Sequence, residues 1–329
     1  TGDKMFGKDS ENSKMEAGSE EWSRDVINRL AFAAVNEQRR TRRWNIFFKV
    51  LLALYLLALL ILYLPTDWDQ LGKVSEKHTA LVELKGVISD SAEASADTVI
   101  KGLRNAFEDE NTAGVILRAN SPGGSPVQSG YIYKEIKRLR ELHPDTPLYA
   151  VVTDVCASGC YYVVSAADDI YVDEASIIGS IGVRMDSFGF VDTMKKLGIE
   201  RRLYTAGESK GFLDPFMPQK PADVEHVELL LDSIHQQFIN AVEQGRGERL
   251  QENDKLFTGL VWTGKEGIPM GLADEIGSSS YVAREVIGVE EIIDFTEKPD
   301  FFKRLSDRIG VAMVKGMSEV FANGAGSVR

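Results

Sequence analysis

Ser158 is the residue whose surroundings most suggest a nucleophile. It stands between Ala157 and Gly159, just after the apolar run "PLYAVVTDV" at 147–155. A nucleophile at a strand-to-helix turn needs small neighbours so that its hydroxyl can project into a cleft. The backbone N–H of Gly159, near the start of a helix, can also stabilise an oxyanion. The pattern permits a serine nucleophile for acyl transfer, but taken alone it is a weak signal, because a structural serine in a tight turn would show the same letters.

A second loop, "NSPGG" at 120–124, supplies further candidate oxyanion donors. It follows the apolar run 113–119, and its two glycines, Gly123 and Gly124, leave bare backbone N–H groups that can face a ligand. Ligands of parallel α/β sheets collect at the carboxyl ends of the strands, where both loops fall. An oxyanion hole built from Gly159 with Gly123 or Gly124 is therefore physically reasonable. Taken alone, "NSPGG" is equally consistent with a plain tight turn.

A serine hydroxyl also needs a base to take its proton. None of the four histidines (His78, His143, His226 and His235) stands beside an obvious orienting carboxylate at a strand end, so a Ser-His-Asp arrangement has no support. Burial lowers the pKa of an ammonium group, which lets a lysine act as base. Lys210, in "AGESKGFLDPF", stands between small residues and an apolar stretch, which fits partial burial. Most lysines, however, are solvated surface charges.

Two cysteines, Cys156 and Cys160, flank the candidate nucleophile. Two are too few for a disulfide scaffold, and the sequence lacks the nearby histidines of a zinc site. We expect two small buried thiols, because a disulfide within one helical turn is sterically poor. No metal or other cofactor is expected.

Alternating strands and helices must position these groups. Near-continuous apolar strands separated by amphipathic helices predict parallel βαβ units with both sheet faces covered. The predicted strands are 79–88, 113–119, 147–155 and 169–174. The predicted helices are 95–109, 127–142, a short one from 158, 222–244, 279–288 and 300–322. The fold class is therefore α/β, with a helical C-terminal extension.

The composition of the chain restricts the classes of molecule that the protein is expected to bind. The chain has 329 residues and a formal net charge of -12. Nucleic-acid phosphates would be repelled by such a surface, so no nucleic-acid partner is expected.

The segment 46–64, "IFFKVLLALYLLALLILYL", predicts one transmembrane helix. Nineteen residues rising about 1.5 Å each match the thickness of a bilayer core. The arginines of "RRTRR" at 39–43 precede it, so the positive-inside tendency places the N-terminus in the cytoplasm and the following domain outside. Residues 1–20 are expected to be disordered, and 21–38 to form an interfacial helix.

Five motifs in order give the chain a family likeness. They are "NSPGG", "ASGCYY", "GSIGV" at 179–183, "ESKG" and "WTGKEGIPMGLADEIG" at 262–277. Together they resemble the signal peptide peptidase A family, which implies a bacterial inner-membrane serine protease with a ClpP/crotonase-type fold. The expected domain organisation of the chain is therefore a cytoplasmic segment (1–45), the anchor (46–64), a linker (65–78), the protease domain (79–298) and the extension (299–329).

The resemblance also implies roles for individual residues. Ser158 matches the nucleophile, Lys210 the general base, and Ser180 a hydroxyl that helps to hold the lysine. Gly124 and Gly159 fall where the oxyanion donors are expected. Because serine and lysine of this family meet across a repeat or protomer boundary, a single-copy chain implies a homo-oligomer with shared active sites. The implied substrates are hydrophobic peptides, remnant signal peptides above all. Cys160 departs from the glycine more usual there.

Two other functions stay open from the sequence. A crotonase-type enzyme acting on an acyl-thioester would share the fold and the glycine-built oxyanion hole without needing the serine. A non-catalytic membrane scaffold would keep the fold for assembly or for binding a partner.

Overall fold

The structure, a computed structural model, describes residues 20–63 and 76–297. The expected disorder of residues 1–19, most of the linker, and the extension with its helix at 300–322 lie outside the described residues. The chain divides into two compact units, Thr1–Gly72 and Lys73–Arg329.

In the first unit, the described residues form one helix, α1 (Glu20–Tyr63), of 44 residues. Helix was predicted for both 21–38 and 46–64, and the described part of each lies in α1. Within 20–63 and 76–297, however, no helix meets the length and apolarity needed to cross a bilayer. The predicted anchor at 46–64 is thus not confirmed.

The second unit is built on an eight-stranded sheet. The strands are β1 (His78–Lys85), β2 (Thr112–Ser121), β3 (Leu148–Ala157), β4 (Asp169–Val172), β5 (Ile177–Gly179), β6 (Val261–Thr263), β7 (Glu275–Ile276) and β8 (Ile292–Asp294). The main path runs β6-β5-β3-β2-β1-β8, and β4 pairs with β3 and β7. All these pairs are parallel except β5 with β6. The predicted mixed α/β architecture with a mainly parallel sheet is confirmed.

Helices connect the strands. They are α2 (Ala96–Glu108), α3 (Pro126–Leu142), α4 (Gly159–Val164), α5 (Val191–Leu197), α6 (Pro221–Arg246), α7 (Gly264–Gly267) and α8 (Ser279–Tyr281), with a π-helical turn at Val282–Ile287. The sequence dictates two of their starts: Ser95 and Ser125 accept hydrogen bonds from the amides of Thr98 and Gln128. Pro126, which lacks an N–H, takes the first helical position of α3.

The core lies on both faces of the sheet. Along β1, Val82 and Leu84 join the larger cluster beneath α2, α3 and α4, whereas Leu81 joins a smaller cluster with Val282 and Ala283. Successive strand residues point to opposite faces, so a strand covered on both sides is apolar at nearly every position. This burial fixes the carboxyl ends of β2, β3 and β5 at one edge of the sheet.

Candidate active site

Ser158 lies at the sharp turn from β3 into α4. Its backbone has φ 54° and ψ -123°, a conformation that costs a residue with a side chain about 1–3 kcal/mol. Two hydrogen bonds hold the turn: the Ser158 amide donates to the Gly179 carbonyl at 2.8 Å, and the Tyr162 amide donates to the Ser158 carbonyl at 3.0 Å. The side chain is half-buried. These hydrogen bonds thus hold Ser158 in a strained conformation at a strand-to-helix turn. This is the local geometry that exposes a nucleophilic side chain to a cleft.

The "NSPGG" loop packs directly against this turn. A Cβ on Gly123 would stand 2.9 Å from the Ser158 Cβ and 2.7 Å from the Gly159 nitrogen. A Cβ on Gly124 would collide with the backbone of Ile88, with which Gly124 forms an isolated parallel bridge. Both glycines have positive φ, at 94° and 154°. Only glycine fits this close approach.

The backbone N–H groups of Gly124 and Gly159 are available for a ligand. Within the described part of the chain, neither amide donates a backbone hydrogen bond. The Gly124 nitrogen stands 3.2 Å from the position that a Cβ on Gly159 would occupy, so the two amides are neighbours. Two adjacent N–H donors beside a serine can hold the oxyanion of a tetrahedral intermediate.

Ser180 is brought to the same place by sheet register. Ala157 of β3 pairs with Gly179 of β5, so the residues that follow, Ser158 and Ser180, lie next to each other. Ser180 also has positive φ, at 52°, and its amide donates to the Leu260 carbonyl at 2.7 Å.

These groups line one cavity of about 770 Å³. Its other lining residues are apolar and polar in similar measure. They come from the β1–α2 and "NSPGG" loops, from α3, α4 and α6, and from the segments that follow β5 and precede β6. Among them are Val87, Pro122, Pro126, Tyr162, Ile234 and Phe238. Four of the five predicted site residues, Ser158, Gly124, Gly159 and Ser180, therefore share a single cavity.

Lys210 is the exception. It lies in the irregular connection between α5 and α6, is exposed, and is not among the residues that line the cavity. Within one chain, the structure does not bring it to Ser158.

The described residues that line the cavity include no general base. No histidine, lysine, aspartate or glutamate is among the described residues that line it, and Arg184 is its only charged residue. Burial raises the pKa of Tyr162, which keeps its hydroxyl neutral. His235 of α6 has its Nε2 3.1 Å from the carbonyl oxygen of Ile181 and does not line the cavity. A proton acceptor for Ser158 must come from elsewhere.

The expectation of free thiols is wrong: Cys156 and Cys160 form a disulfide. The expectation treated both as members of one helical turn, but Cys156 belongs to β3 and Cys160 belongs to α4. The sharp turn at Ser158 brings their Cα atoms to 5.1 Å, within the range a disulfide spans. The bridge thus joins the two elements that present the serine.

Sequence reasoning missed several polar side chains of the cavity, among them Arg184, Gln237 and Thr258, and one of those it missed is buried. Ser129, on α3, lines the cavity and is completely buried. Its hydroxyl finds no hydrogen-bond partner among the described residues. The pattern of α3 gave no signal for this, because a serine on a helix face is usually solvated.

A strained serine between two free backbone N–H donors, at the carboxyl edge of a mainly parallel sheet, is an arrangement suited to acyl transfer. The comparison with family models agrees. Residues 140–292 match the model described as Peptidase family S49. The matched range includes Ser158, Gly159, Ser180 and Lys210, whereas Gly124 precedes it.

Three relatives illustrate the similarity. The chain is 44% identical over 186 residues to a protein of Brucella abortus (strain 2308) named Na(+)/H(+) antiporter NhaA; the match covers 56% of this chain and 25% of that protein. It is 30% identical over 215 residues to "Putative signal peptide peptidase SppA" of Enterococcus faecium, covering 62% of this chain and 61% of the relative. It is 30% identical over 224 residues to "Putative protease MJ0651" of Methanocaldococcus jannaschii, covering 66% and 71%.

These matches show the family. The chain belongs to peptidase family S49, the family of SppA-type serine proteases. It spans a quarter of the Brucella protein's length and less than two thirds of the Enterococcus protein's length.

Proposed function

We propose that this protein is a peptidase that uses Ser158 as nucleophile and Lys210 of a neighbouring protomer as general base. The observation that carries the proposal is the strained Ser158, held beside the free amides of Gly124 and Gly159 in an open cavity. Membership of family S49 supports peptide-bond hydrolysis. The parallel sheet and the strand-to-helix turn at Ser158 support the finer ClpP-type description of the fold.

The proposed reaction follows from the positions of these groups. The Ser158 Oγ attacks the carbonyl carbon of the scissile bond while its proton passes to the amine of Lys210. The carbonyl oxygen becomes an oxyanion and accepts hydrogen bonds from the amides of Gly124 and Gly159. When the C–N bond breaks, the lysine returns the proton to the leaving amine. Water then attacks the acyl-enzyme by the same route and releases the acid.

The need for a neighbouring protomer rests on two facts already described. The cavity has no base among its described lining residues, and Lys210 is exposed on a connection outside it. A lysine contributed by a neighbouring copy would supply the missing group. In that position, Ser180, beside Ser158, would be placed to accept a hydrogen bond from the ammonium group. This implies a homo-oligomer with shared sites.

The substrate class follows from the walls of the cavity. Side chains such as Val87, Tyr162, Ile234 and Phe238 favour apolar peptide segments over charged ones. Remnant signal peptides are the natural apolar peptides to propose, and the name of the Enterococcus relative agrees. The membrane location predicted from the sequence stays a prediction that fractionation of cells would test.

Mixing two inactive variants tests the shared site. Purified Ser158→Ala and Lys210→Ala proteins should each fail to cleave a fluorogenic apolar peptide. If each site takes its serine and lysine from different protomers of a ring, co-assembly of equal amounts should restore about a quarter of wild-type activity. A mixture that assembles but stays inactive would show that the two groups act within one chain. Turnover retained by Ser158→Ala would refute the proposal itself.

Labelling identifies the nucleophile without relying on turnover of a chosen substrate. A fluorophosphonate probe should modify Ser158 in the wild type, as located by peptide mapping. It should fail to modify the Ser158→Ala protein. The acyl-thioester alternative predicts no such labelling.

A further inference from the structure

The hydroxyl of Ser129 is the one buried polar group at the site whose position is unexplained. Ser129 lies in the first turn of α3, four residues after the capping Ser125, and is completely buried. Its backbone amide donates to the Ser125 carbonyl at 3.0 Å, but its Oγ has no hydrogen-bond partner among the described residues. An unpaired buried hydroxyl destabilises a fold and calls for an explanation.

Other buried serines of the same domain are satisfied. Ser121 accepts a hydrogen bond from the Gly123 amide at 3.0 Å, and Ser165 donates to the Tyr162 carbonyl at 2.8 Å. The fold therefore provides partners for buried hydroxyls elsewhere, including within the "NSPGG" loop. At Ser129 alanine would fill nearly the same space without a polar atom to satisfy, so simple packing does not account for a serine.

The position of the hydroxyl points to a ligand in the cavity. Ser129 lines the cavity together with Ser158, Gly124 and Gly159. Its Oγ stands 2.5 Å from the point that a Cβ on Gly159 would occupy, and the Gly124 nitrogen stands 3.2 Å from the same point. The Ser129 hydroxyl and the Gly124 amide thus both lie close to Gly159, the residue that follows the candidate nucleophile.

We propose that Ser129 is a catalytic residue whose hydroxyl is a third hydrogen-bond donor to the oxyanion. The inference rests on the proposed function and assigns a further group to its site. As Ser158 attacks, the carbonyl oxygen gains negative charge and accepts a hydrogen bond from the Ser129 O–H, which keeps its proton throughout. The free protein leaves the hydroxyl unpaired, so the interaction is gained as the charge develops and it favours the transition state over bound substrate.

The variant Ser129→Ala separates this role from packing. It should lower kcat by about 10–100-fold, in the range of a lost oxyanion donor, with KM within about twofold of wild type. Its thermal midpoint should be unchanged or higher, because the substitution removes an unpaired buried hydroxyl. A peptide boronic acid, whose adduct with Ser158 is tetrahedral, should bind Ser129→Ala more weakly by about the same factor as kcat falls.

Ser165→Ala is the matched control. It also removes a buried serine hydroxyl, but that hydroxyl has a backbone partner and does not line the cavity. It should lower the thermal midpoint slightly and leave kcat and boronic acid affinity unchanged.

The possible failures are distinguishable. Wild-type kcat in Ser129→Ala, in a preparation where Ser158→Ala is inactive, would overturn the role of Ser129 and leave the proposed function intact. A lower thermal midpoint or misfolding of Ser129→Ala, or a raised KM with normal kcat, would show a structural or binding role and also overturn it. A wild-type protein without Ser158-dependent turnover would refute the proposed function, and this inference with it.

Discussion

The amide of Ser158 donates a 2.8 Å hydrogen bond to the carbonyl of Gly179, the last residue of β5. This bond continues the parallel pairing of β3 with β5 one residue beyond β3, into the turn that presents the serine. It also sets Ser180 next to Ser158, and both residues hold positive φ. The sheet itself therefore imposes the conformation of the candidate nucleophile and aligns it with its neighbour.

Substitution of Gly123 should abolish activity. Its Cβ would stand 2.7 Å from the Gly159 nitrogen and 2.9 Å from the Ser158 Cβ, and its φ of 94° is unfavourable for alanine. We expect Gly123→Ala to lower kcat/KM at least about 100-fold and to destabilise the fold by about 1–3 kcal/mol. Peptide turnover and urea unfolding measure the two effects.

The variant Gly288→Ala is the control that separates the cost of a positive φ from the effect of the steric clash at Gly123. Gly288 has φ 79°, but a Cβ there would meet nothing within 4 Å, and it lies after the π-helical turn. It should cost about 1 kcal/mol of stability without affecting turnover. If Gly123→Ala resembles Gly288→Ala in activity, the close approach to Ser158 is not needed for catalysis.

Much of the site was predictable because a parallel sheet gathers strand ends. The runs before "NSPGG" and before Ser158 are apolar at nearly every position, which identifies β2 and β3 as buried neighbours. Ligand-facing loops at their carboxyl ends then follow from topology alone. This is why Gly124, Gly159 and Ser158 could be grouped from the sequence.

The rest depends on three-dimensional relations that no local pattern records. Strands β5 to β8 have only two or three residues each, too few for a period to show. The disulfide depends on the turn angle at Ser158 rather than on the spacing of the cysteines. The unpaired hydroxyl of Ser129 is defined by the absence of partners in space. The proposed role of Lys210 needs a second copy of the chain, and no local sequence pattern records such an assembly.

The disulfide between Cys156 and Cys160 should be measurable directly. Since the chain has two cysteines, the denatured, unreduced protein should contain no titratable thiol, and two should appear after reduction. The bridge closes a very short loop, so its removal in a Cys156→Ala/Cys160→Ala double variant should cost only about 2 kcal/mol. Two free thiols in protein purified under oxidising conditions would contradict the observed bridge.

Loss of Asp274 should destabilise the domain strongly. Arg246 is completely buried at the end of α6 and donates two hydrogen bonds to the Asp274 carboxylate, at 2.8 and 2.9 Å. Burial opposes ionisation of Asp274, but the hydrogen bonds and charge of Arg246 outweigh it and lower the pKa of the carboxyl. Asp274→Ala leaves the buried guanidinium with its hydrogen bond to the Gly271 carbonyl but without the Asp274 carboxylate, which should cost about 3–5 kcal/mol in urea unfolding.

An exposed ion pair supplies the comparison for Asp274→Ala. Arg284 and Glu285 interact at 2.7 Å with both side chains about half exposed to solvent. Arg284→Ala should destabilise the protein much less than Asp274→Ala does. Equal losses in the two variants would show that burial of Arg246 does not raise the cost of losing its partner.

Glu135 should make stability depend on pH below the range of ordinary carboxylates. This buried residue of α3 accepts hydrogen bonds from Arg138 and Arg104, which lower its pKa from 4.5 to about 2. Because the folded-state pKa is depressed, the stabilisation is fully present above pH 4.5 and is lost as the pH falls towards 2.

Both arginines are half exposed, so Glu135→Gln should cost only about 1 kcal/mol at pH 7. Urea unfolding between pH 2 and 7 should show this difference shrinking as the pH falls through that interval. A wild-type to Glu135→Gln difference that is constant with pH would mean that the two arginines do not stabilise the charged form.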